Sequence, residues 1–432
     1  MRVVLTHIAA STHLNLMVPI GWALKNAGHE VVVAAQPDIM HAVDRTGLTG
    51  VAVGGPARLA ERLAELAPEE TIYGSGFRLA ESRPEVLTYE YVRDCLAAWA
   101  SPLSLDGTVE DHMYDGLVDF CRSWRPDLVI WDTLTFPGAV AARACGAAHV
   151  RTTISRDHWV RMRELYLRMR AERPEAADEA DPVVEWISAK LRRFGCDFHE
   201  DVIFGQATID SLPPWLRIPA EHRYIDMRYV AHNGPGALPA WLAEEEPKVP
   251  RVCLTKGFST SEVMGDRTTF GLDDFFEAVA DMPIEVIALM DPAALPEGAT
   301  VPDNVRLPGF VPLDFLLKTC AAIIHHGGTG TVATSLSNGI PQIVIPHDLI
   351  DEDQVADQIA ARGAGVHLDP GTLTADLLRT ELTRVLEDPS FRENAAQIAK
   401  EMRELPGPED LVRELEALVA RHQASSGATT RS

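Results

Sequence analysis

Seven consecutive residues, His325 to Thr331, combine two histidines, three glycines and two threonines. They follow the apolar run Ala321–Ile324 and precede a segment from Val332 that is compatible with a helix. A buried strand that ends in glycines before a helix presents free N–H groups and the positive helix end at one point, which suits a phosphate ester. No Lys follows the glycines as in ATPases, and the dinucleotide pattern Gly-x-Gly-x-x-Gly does not fit. A tight strand-to-helix turn without a ligand would use the same residues, so that interpretation stays open.

Composition sets limits on the ligand and the setting. The chain has 432 residues, a formal charge of −24, 46% hydrophobic and 24% charged residues. This acidic excess would repel nucleic acid and anionic membranes, so a phosphate-bearing ligand must be captured by local donors. No apolar run is long enough to span a bilayer and no signal-peptide pattern opens the chain, which predicts a cytoplasmic protein. Six cysteines stand singly without Cys-x-x-Cys pairs, which argues against both a disulfide framework and structural zinc.

The first half of the chain alternates apolar strand patterns with helix patterns, which predicts an open parallel sheet in an N-terminal domain over residues 1–212. We expect the opening helix to begin at Pro19 and to stop at Gly28. The predicted strands are Arg2–Ile8, Glu30–Ala34 and Pro126–Asp132.

A proline-rich stretch over residues 213–250 is predicted to be a linker. Beyond it, residues 251–407 repeat the alternation as a C-terminal domain. Residues 408–432 are expected to form a helix that packs back across the domains, followed by a frayed tail from Ala424. The predicted strands of the second domain are Arg251–Thr255, Ile284–Leu289, Ala321–Ile324 and Gln342–Ile345. The α/β fold predicted is thus two Rossmann-like parallel-sheet domains facing a cleft at the carboxyl ends of their strands.

Four motifs lie along the whole chain: Val18–Leu24 with Ala27–Val31, Trp124–Asp132, Asn233-Gly234-Pro235, and His325–Thr331 with Gly339–Gln342. In these motifs the chain resembles the GT-B inverting glycosyltransferases that use nucleotide sugars, and most closely the bacterial enzymes that attach deoxysugars to polyketide antibiotics. The last pair is the most specific, and the segments occur in the expected order over two domains. The resemblance implies direct displacement with inversion and no covalent intermediate.

The resemblance places the donor diphosphate on the C-terminal domain, against the glycine turn. His326, rather than His325, is the matching histidine. His326 and Thr331 could donate to diphosphate oxygens, while Gly327 and Gly328 let the backbone approach closely. The leaving charge would then be neutralised without a metal, so we expect no cofactor.

Nucleoside contacts are expected from Phe310, Val311 and Thr334. Phe310 stands where the family has an aromatic that stacks the base, although a core Phe after a strand is an equal alternative. Family members that use ribonucleotides often carry Glu at the position of Thr334. The missing carboxylate fits a deoxyribose and hence a dTDP-sugar, while simple packing of Thr334 stays an alternative.

His13 is the predicted general base. A neutral imidazole could take the proton from an acceptor hydroxyl, and a carboxylate would fix its tautomer. Asp132 is the matching family residue for that carboxylate. His7 competes for the role, but its place in or after the first strand favours packing. Taken alone, a histidine near an N-terminal helix is more often structural, and the two-domain context reverses those odds.

The acidic segment Asp351-Glu352-Asp353 admits two further interpretations. Asp-x-Asp binds metal in glycosyltransferases of another fold, whereas in this architecture the resemblance makes Asp351 and Glu352 readers of the donor sugar. The segment departs from the family's commoner Asp-Gln form, because Gln354 is displaced. Carboxylates at a solvated helix start would look the same.

The function implied is transfer of a deoxysugar from dTDP to a hydroxyl of a polyketide-derived aglycone. Acidic residues near the sugar would also suit the cationic amino group of an aminodeoxysugar. The aromatic residues Trp99, Phe136, Trp159, Tyr166 and Trp186 could line the acceptor pocket or belong to the core.

Two alternative functions stay open: a UDP-hexose-dependent transferase that inactivates an antibiotic, and a catalytically silent binding partner. Similar relatives often need an activator protein of inactive-monooxygenase type, and the chain could form a homodimer. No nucleic acid or membrane partner is expected.

Overall fold

The computed structural model describes residues 1–65, 67, 71–102, 104–234, 236–244, 246–257, 271–295, 298–347 and 349–429. The chain forms two compact units. One comprises Met1–Met227 with the segment from Pro406 onward, and the other comprises Arg228–Leu405. Each unit is a parallel sheet with helices, as the alternating patterns predict.

The first unit contains a seven-stranded sheet in the order β3-β2-β1-β4-β5-β6-β7, and all of its pairs within the described residues are parallel. Its strands are β1 (Arg2–Thr6), β2 (Glu30–Ala35), β3 (Thr49–Ala52), β4 (Leu128–Asp132), β5 (Ala148–Thr152), β6 (Thr208–Asp210) and β7 (Tyr224–Asp226). Its helices up to residue 204 are α1 (Ser11–Asn26), α2 (Met40–Asp44), α3 (Leu59–Glu65), α4 (Tyr89–Trp99), α5 (Leu105–Thr108), α6 (Asp111–Trp124), α7 (Pro137–Cys145), α8 (His158–Ala171), α9 (Pro182–Arg192) and α10 (Asp201–Phe204).

The second unit contains a six-stranded sheet in the order β10-β9-β8-β11-β12-β13. Its strands are β8 (Arg251–Thr255), β9 (Glu285–Ala288), β10 (Val305–Arg306), β11 (Ala322–His325), β12 (Gln342–Val344) and β13 (Gly365–His367). The helices that follow in chain order are α11 (Ala240–Glu244), α12 (Leu272–Val279), α13 (Leu313–Leu317), α14 (Thr329–Asn338), α15 (Glu352–Ala361), α16 (Ala375–Glu387), α17 (Pro389–Arg403) and, in the first unit, α18 (Pro408–Thr429).

Burial on both faces explains the continuous apolar runs of the central strands. In β1, Val4 belongs to one hydrophobic cluster, whereas Val3 and Leu5 belong to the cluster on the opposite face. Parallel sheets are covered by helices on both sides, so alternate residues cannot be polar as they are in a half-exposed strand. The strands β1, β4, β8 and β11 are therefore buried over nearly their whole length.

The opening helix begins eight residues earlier than the sequence predicts. It runs over Ser11–Asn26 and contains Pro19 in its interior. Proline removes one helical hydrogen bond, but Leu14, Met17 and Leu24 are buried along the helix and hold it against the sheet. The difference matters because His13 lies in the first turn of α1 and not ahead of it.

The stretch predicted as a linker, residues 213–250, is shared between the two units. Its first part contributes the edge strand β7, which pairs with β6, and the division falls between Met227 and Arg228. The later part contains the short helix α11 of the second unit. Strands of three residues carry too little periodicity to be recognised among so many prolines.

The C-terminal helix α18 packs in the first unit, where Leu415 and its apolar neighbours join α1 in one hydrophobic cluster. Its apolar positions are Leu411, Val412, Leu415, Leu418 and Val419. The helix extends to Thr429, past the predicted start of the frayed tail at Ala424, and residues 430–432 lie outside the described residues. Among the described residues, no helix is both long and apolar enough to cross a bilayer.

Candidate active site

The strand order creates a switch point in the first sheet, where β1 lies between β2 and β4. The chain leaves β1 toward β2 on one side, while β4 and the later strands extend on the other, and such a point opens a crevice at the carboxyl ends. The pairing of Thr6 with Trp131 brings the two strand ends to the same edge. His13 follows β1 in the first turn of α1, and Asp132 ends β4. Topology therefore brings the two predicted catalytic residues together.

The two side chains lie next to each other, with His13 Nδ1 3.3 Å from Asp132 Oδ1. His13 is only 8% exposed and Asp132 is fully buried. With Nδ1 facing the carboxylate, Nε2 is the ring nitrogen left to accept a proton. The geometry therefore fits a general base oriented by a carboxylate. The role of His13 stays a prediction.

Hydrogen bonds hold the Asp132 carboxylate from three directions. It accepts from the N–H of Ile8 at 3.0 Å and of Leu134 at 2.7 Å, and from the Thr135 hydroxyl at 2.7 Å. Burial by itself would raise the pKa of Asp132, but the charge of His13 and the donors Leu134 and Thr135 lower it below its usual value. The carboxylate is thus kept ionised in a buried place.

His7 is fully buried just after β1, and its Nδ1 donates to the carbonyl of Ile8 at 2.6 Å. Burial lowers its pKa to about 4, against the smaller effect of that hydrogen bond, so the ring is neutral near pH 7. Its environment is that of a packed histidine.

The aromatic candidates for an acceptor pocket lie in or against the core of the first unit. Phe136 is the centre of this group, because its ring contacts Trp131 at 5.4 Å, Trp159 at 6.0 Å and Trp186 at 4.9 Å between centroids. The five candidates belong to or pack against the same hydrophobic cluster: Trp99, Phe136, Trp159, Tyr166 and Trp186. The structure therefore supports the core interpretation for them.

The second sheet has its own switch point, where β8 lies between β9 and β11. His325 at the end of β11 pairs with Thr255 at the end of β8. The residues His326–Gly328 then turn the chain, and α14 begins at Thr329. The free N–H groups at the start of α14 therefore follow directly on the carboxyl end of β11 at the switch point, a place that favours an anion.

His325 fixes the turn from inside. Its Nε2 lies 2.8 Å from Gln342 Oε1, and its Nδ1 accepts the N–H of Gly327 at 3.0 Å. Both ring nitrogens are therefore engaged within the protein. Burial lowers the pKa of His325 to about 4, so the ring is neutral.

His326 lies between two glycines. A Cβ on Gly257 would come within 2.1 Å of His326 Cε1, and a Cβ on Gly328 within 2.4 Å of His326 Nε2. Among the described residues, His326 Nδ1 has no hydrogen-bond partner, although it is buried. Burial is also the main reason that the pKa of His326 falls to about 3. A neutral imidazole that has one uncommitted nitrogen is suited to a hydrogen bond with a phosphate oxygen.

Thr331 and Thr334 lie on the first two turns of α14 with different environments. Thr331 is partly exposed, whereas Thr334 is fully buried. The Thr334 hydroxyl donates to Gly330 O at 2.6 Å and lies 3.1 Å from the hydroxyl of Tyr229. These bonds engage the Thr334 hydroxyl inside the protein, so the position offers no carboxylate and no free hydroxyl to a ribose.

Phe310 and Val311 have different environments in the structure. The Phe310 side chain is 48% exposed, as a stacking surface requires, whereas Val311 is 2% exposed and packs in the second unit's core. Phe310 also lies against Gly236, where a Cβ would approach its ring to 2.5 Å. Of the matching segment Asn233-Gly234-Pro235, Pro235 lies outside the described residues, while Asn233 Oδ1 accepts the N–H of Asp314 at 2.9 Å.

Asp351 and Glu352 lie at the start of α15. Asp351 is buried at the position before the helix, and Glu352 Oε2 accepts the N–H groups of Leu349 at 3.3 Å and Ile350 at 2.8 Å. Within the described residues, no group of three or more His, Cys, Asp or Glu side chains is placed to hold a metal ion. The roles of Asp351 and Glu352 toward the sugar stay predictions.

Sequence reasoning missed three residues that shape these sites: Thr135, Tyr229 and Gly257. Thr135 follows the turn that the Asp132 carboxylate forms with the N–H of Leu134, and such an Asp turn is a local signal. Tyr229 and Gly257 carry no local signal, because each meets its partner across a long stretch of chain.

Two parallel α/β units with these switch points are the architecture of the GT-B glycosyltransferases. The first unit holds His13 beside Asp132, and the second holds the turn His326–Gly328, which we call the phosphate turn after the role predicted for it. Comparison with known proteins agrees with this assignment. The solved structure of the glycosyltransferase VinC in complex with dTDP superimposes with a TM-score of 0.88 and 41% identity, covering 98% of this chain and 100% of that one. The spinosyn forosaminyltransferase SpnP superimposes with a TM-score of 0.81 and 38% identity, over 97% and 99% of the two chains.

Family models make the assignment specific. The N-terminal domain model of erythromycin biosynthesis protein CIII-like proteins matches residues 22–257, and the C-terminal domain model matches residues 273–418. The chain belongs to this family of glycosyltransferases, whose substrates are a nucleotide sugar and an aglycone. It is 43% identical to the aclacinomycin-T 2-deoxy-L-fucose transferase of Streptomyces galilaeus, over 99% of this chain and 98% of the relative. It is 41% identical to the tylactone mycaminosyltransferase of Streptomyces fradiae, over 98% and 93%.

Proposed function

We propose that the protein is an inverting glycosyltransferase that moves a deoxysugar from a dTDP-sugar to a hydroxyl of a polyketide-derived aglycone, in the cytoplasm. The observation that carries the proposal is the pairing of His13 with the buried, ionised Asp132. Similar proteins are named as transferases of 2-deoxy-L-fucose, mycaminose and desosamine, and VinC was solved with dTDP. These names support a deoxysugar donor and a polyketide acceptor.

In the proposed reaction, Nε2 of His13 takes the proton of the acceptor hydroxyl as its oxygen bonds to the anomeric carbon. The bond from that carbon to the diphosphate breaks at the same time, and the electron pair leaves with the diphosphate. Asp132 stabilises the imidazolium that forms. The N-terminal N–H groups of α14 and the ring of His326 stabilise the departing charge, so we propose that no metal is needed.

The preference for a deoxynucleotide is supported by Thr334. Its buried, internally bonded hydroxyl stands where the resemblance puts a ribose-binding Glu in ribonucleotide users. A ribose 2′-hydroxyl would thus lose a charged acceptor, whereas a deoxyribose would lose nothing. UDP-hexose is disfavoured on the same ground.

The test offers the purified chain equal concentrations of dTDP-L-rhamnose and UDP-glucose with tylactone or 10-deoxymethynolide as acceptor. We expect deoxysugar transfer and, by NMR, an anomeric configuration opposite to that of the donor. Transfer from UDP-glucose alone would instead support an antibiotic-inactivating enzyme. Binding of dTDP without transfer to any acceptor, with or without an activator, would support a silent binding partner.

Two proposals about partners follow the resemblance. An activator protein of inactive-monooxygenase type would raise the turnover of the purified chain when it is added, and no change in turnover would argue against it. A homodimer would appear in sedimentation at twice the mass of the 47.3 kDa chain.

A further inference from the structure

Glu352 lies directly against the phosphate turn. A Cβ on Gly327 would be 2.9 Å from Glu352 Cβ and 3.2 Å from its Cγ, so the two residues touch with no room between them. Gly327 has a φ of +93°, a backbone conformation that favours glycine over any other residue. A carboxyl group is thus built beside the turn that, under the proposed function, receives a diphosphate.

The surroundings of Glu352 supply hydrogen bonds but little positive charge. Its Oε2 accepts the N–H groups of Leu349 and Ile350, and within the described residues no ion pair joins Glu352 to a basic side chain. The phosphate turn presents His325 and His326, which are both neutral because burial lowers their pKa values to about 4 and about 3.

Two further titratable groups face this region. His347, in the loop after β12, makes an edge contact with His326 at 5.4 Å, and burial followed by the charge of Lys256 lowers its pKa. Asp351, on the same segment as Glu352, adds a negative charge. Burial, together with this charge, raises the pKa of Glu352 to about 7, against the opposing effect of the backbone N–H groups.

We propose that Glu352 takes up a proton when a nucleoside diphosphate binds at the turn, which couples donor binding to pH through this carboxyl. The inference rests on the proposed function, because it needs the diphosphate at Gly327. A second anion brought beside a half-buried carboxylate favours the neutral carboxylic acid, and the proton comes from solvent. No bond to carbon changes in this step.

The sign of the pH effect follows from linkage. Below the pKa of the free enzyme, Glu352 is already protonated and donor affinity does not depend on it. As pH rises through that pKa toward the higher pKa of the complex, one proton must be bound with each donor, and affinity falls by up to about tenfold per pH unit. Above the second pKa, affinity becomes level again at its low value.

The test titrates the full chain with dTDP in a calorimeter from pH 6 to 8.5, in HEPES and in Tris at the same pH. The difference in heat between these two buffers gives the protons taken up. Wild type, Glu352→Gln and Asp353→Asn are compared, because Asp353 lies in the same turn of α15 but is mostly exposed. Inorganic pyrophosphate serves as a second titrant, since it carries the same anion without a nucleoside.

We expect the wild type and Asp353→Asn to take up more protons at pH 7.5 than Glu352→Gln, beyond any uptake by the titrant's own phosphate. We also expect Glu352→Gln to bind dTDP about three- to tenfold more tightly than the wild type at pH 8.5, and equally at pH 6. An unchanged pH dependence in Glu352→Gln, or weaker binding by it at every pH, would overturn the inference.

The proposed function can fail separately from this inference. If dTDP does not bind but pyrophosphate binds with proton uptake that depends on Glu352, the nucleotide is wrong and the inference stands. If Glu352→Gln does not fold, the two-buffer measurement on the wild type decides, because absence of proton uptake beyond that of the titrant overturns the inference without a variant.

Discussion

At the scale of single residues, the arrangement around Asp132 explains how a carboxylate can stay ionised in a dry place. Three donors and the imidazole of His13 offset the cost of burial. In the proposed mechanism the same carboxylate orients His13, so the chemistry of the first unit depends on this pair of side chains. Replacing either residue tests the role proposed for the pair.

We predict that His13→Ala lowers kcat by roughly a hundredfold to ten-thousandfold, the usual contribution of a positioned general base. The affinity for dTDP should stay near that of the wild type, because the phosphate turn belongs to the other unit. Asp132→Asn should lower kcat by misorienting His13 while the fold is preserved. Steady-state kinetics measures kcat, and a titration with dTDP measures the affinity. His41→Ala, at an exposed histidine, is the control and should change neither. Near-normal turnover of His13→Ala would remove its assignment.

The two adjacent histidines of the phosphate turn should respond differently to substitution. His326→Ala should weaken dTDP binding by about 1.5–3 kcal/mol, the range for a hydrogen bond to a charged group. His325→Ala should weaken binding less and lower Tm more, because its ring bonds to Gln342 and Gly327 inside the protein. Calorimetric titration and thermal unfolding of both variants measure this. The reverse ranking in affinity would mean that His325 contacts the diphosphate.

Residues in motifs could be located from the sequence, and residues that complete the site from elsewhere could not. The segment His325–Thr331 predicted a strand, a turn and a helix start in the right order, because glycine and helix-start signals are local. Gly257 acts on His326 only because β8 and β11 are neighbours. That adjacency depends on the strand order, which the local pattern does not contain.

At the scale of elements, the central strands were predictable because burial on both faces makes them continuous apolar runs. The helix α1 was predicted to begin at Pro19 because proline favours a first turn. Its actual start at Ser11 reflects tertiary packing, since Leu14 and Met17 are buried against the sheet. Tertiary contacts therefore decide where His13 lies, and the sequence pattern alone places it ahead of the helix.

The C-terminal helix supports α1, so it should contribute to stability. Leu415 is fully buried, in the hydrophobic cluster that also contains Leu14 and Met17. We predict that Leu415→Ala costs about 2–5 kcal/mol, as expected for a buried leucine whose removal leaves a cavity. Calorimetric unfolding should show a lower Tm for this variant. Arg413→Ala, at an exposed position of the same helix, should leave the Tm unchanged, and an equal shift of the Tm in both variants would argue against the packing role.

At the scale of the whole molecule, the chain was divisible into two α/β units from its alternating patterns, but the boundary was not. The proline-rich stretch looks like a single linker, yet its first part supplies the edge strand β7 and its later part belongs to the second unit. An edge strand of three residues is stabilised by its neighbour and not by its own composition. Boundaries between units therefore require the three-dimensional contacts.

The net charge of −24 opposes the binding of an anionic donor, so local groups must stabilise the diphosphate. If the N–H groups of α14 with His326 and Thr331 stabilise the diphosphate, a divalent ion is not needed as a Lewis acid. We predict that thorough chelation with EDTA, followed by dialysis, leaves most of the transferase activity, and that added Mg²⁺ or Mn²⁺ does not raise it. Activity lost on chelation and restored by either ion would make the segment Asp351–Asp353 a metal site. That result would also overturn the metal-free stabilisation proposed here, because the ion would then neutralise the charge of the leaving diphosphate.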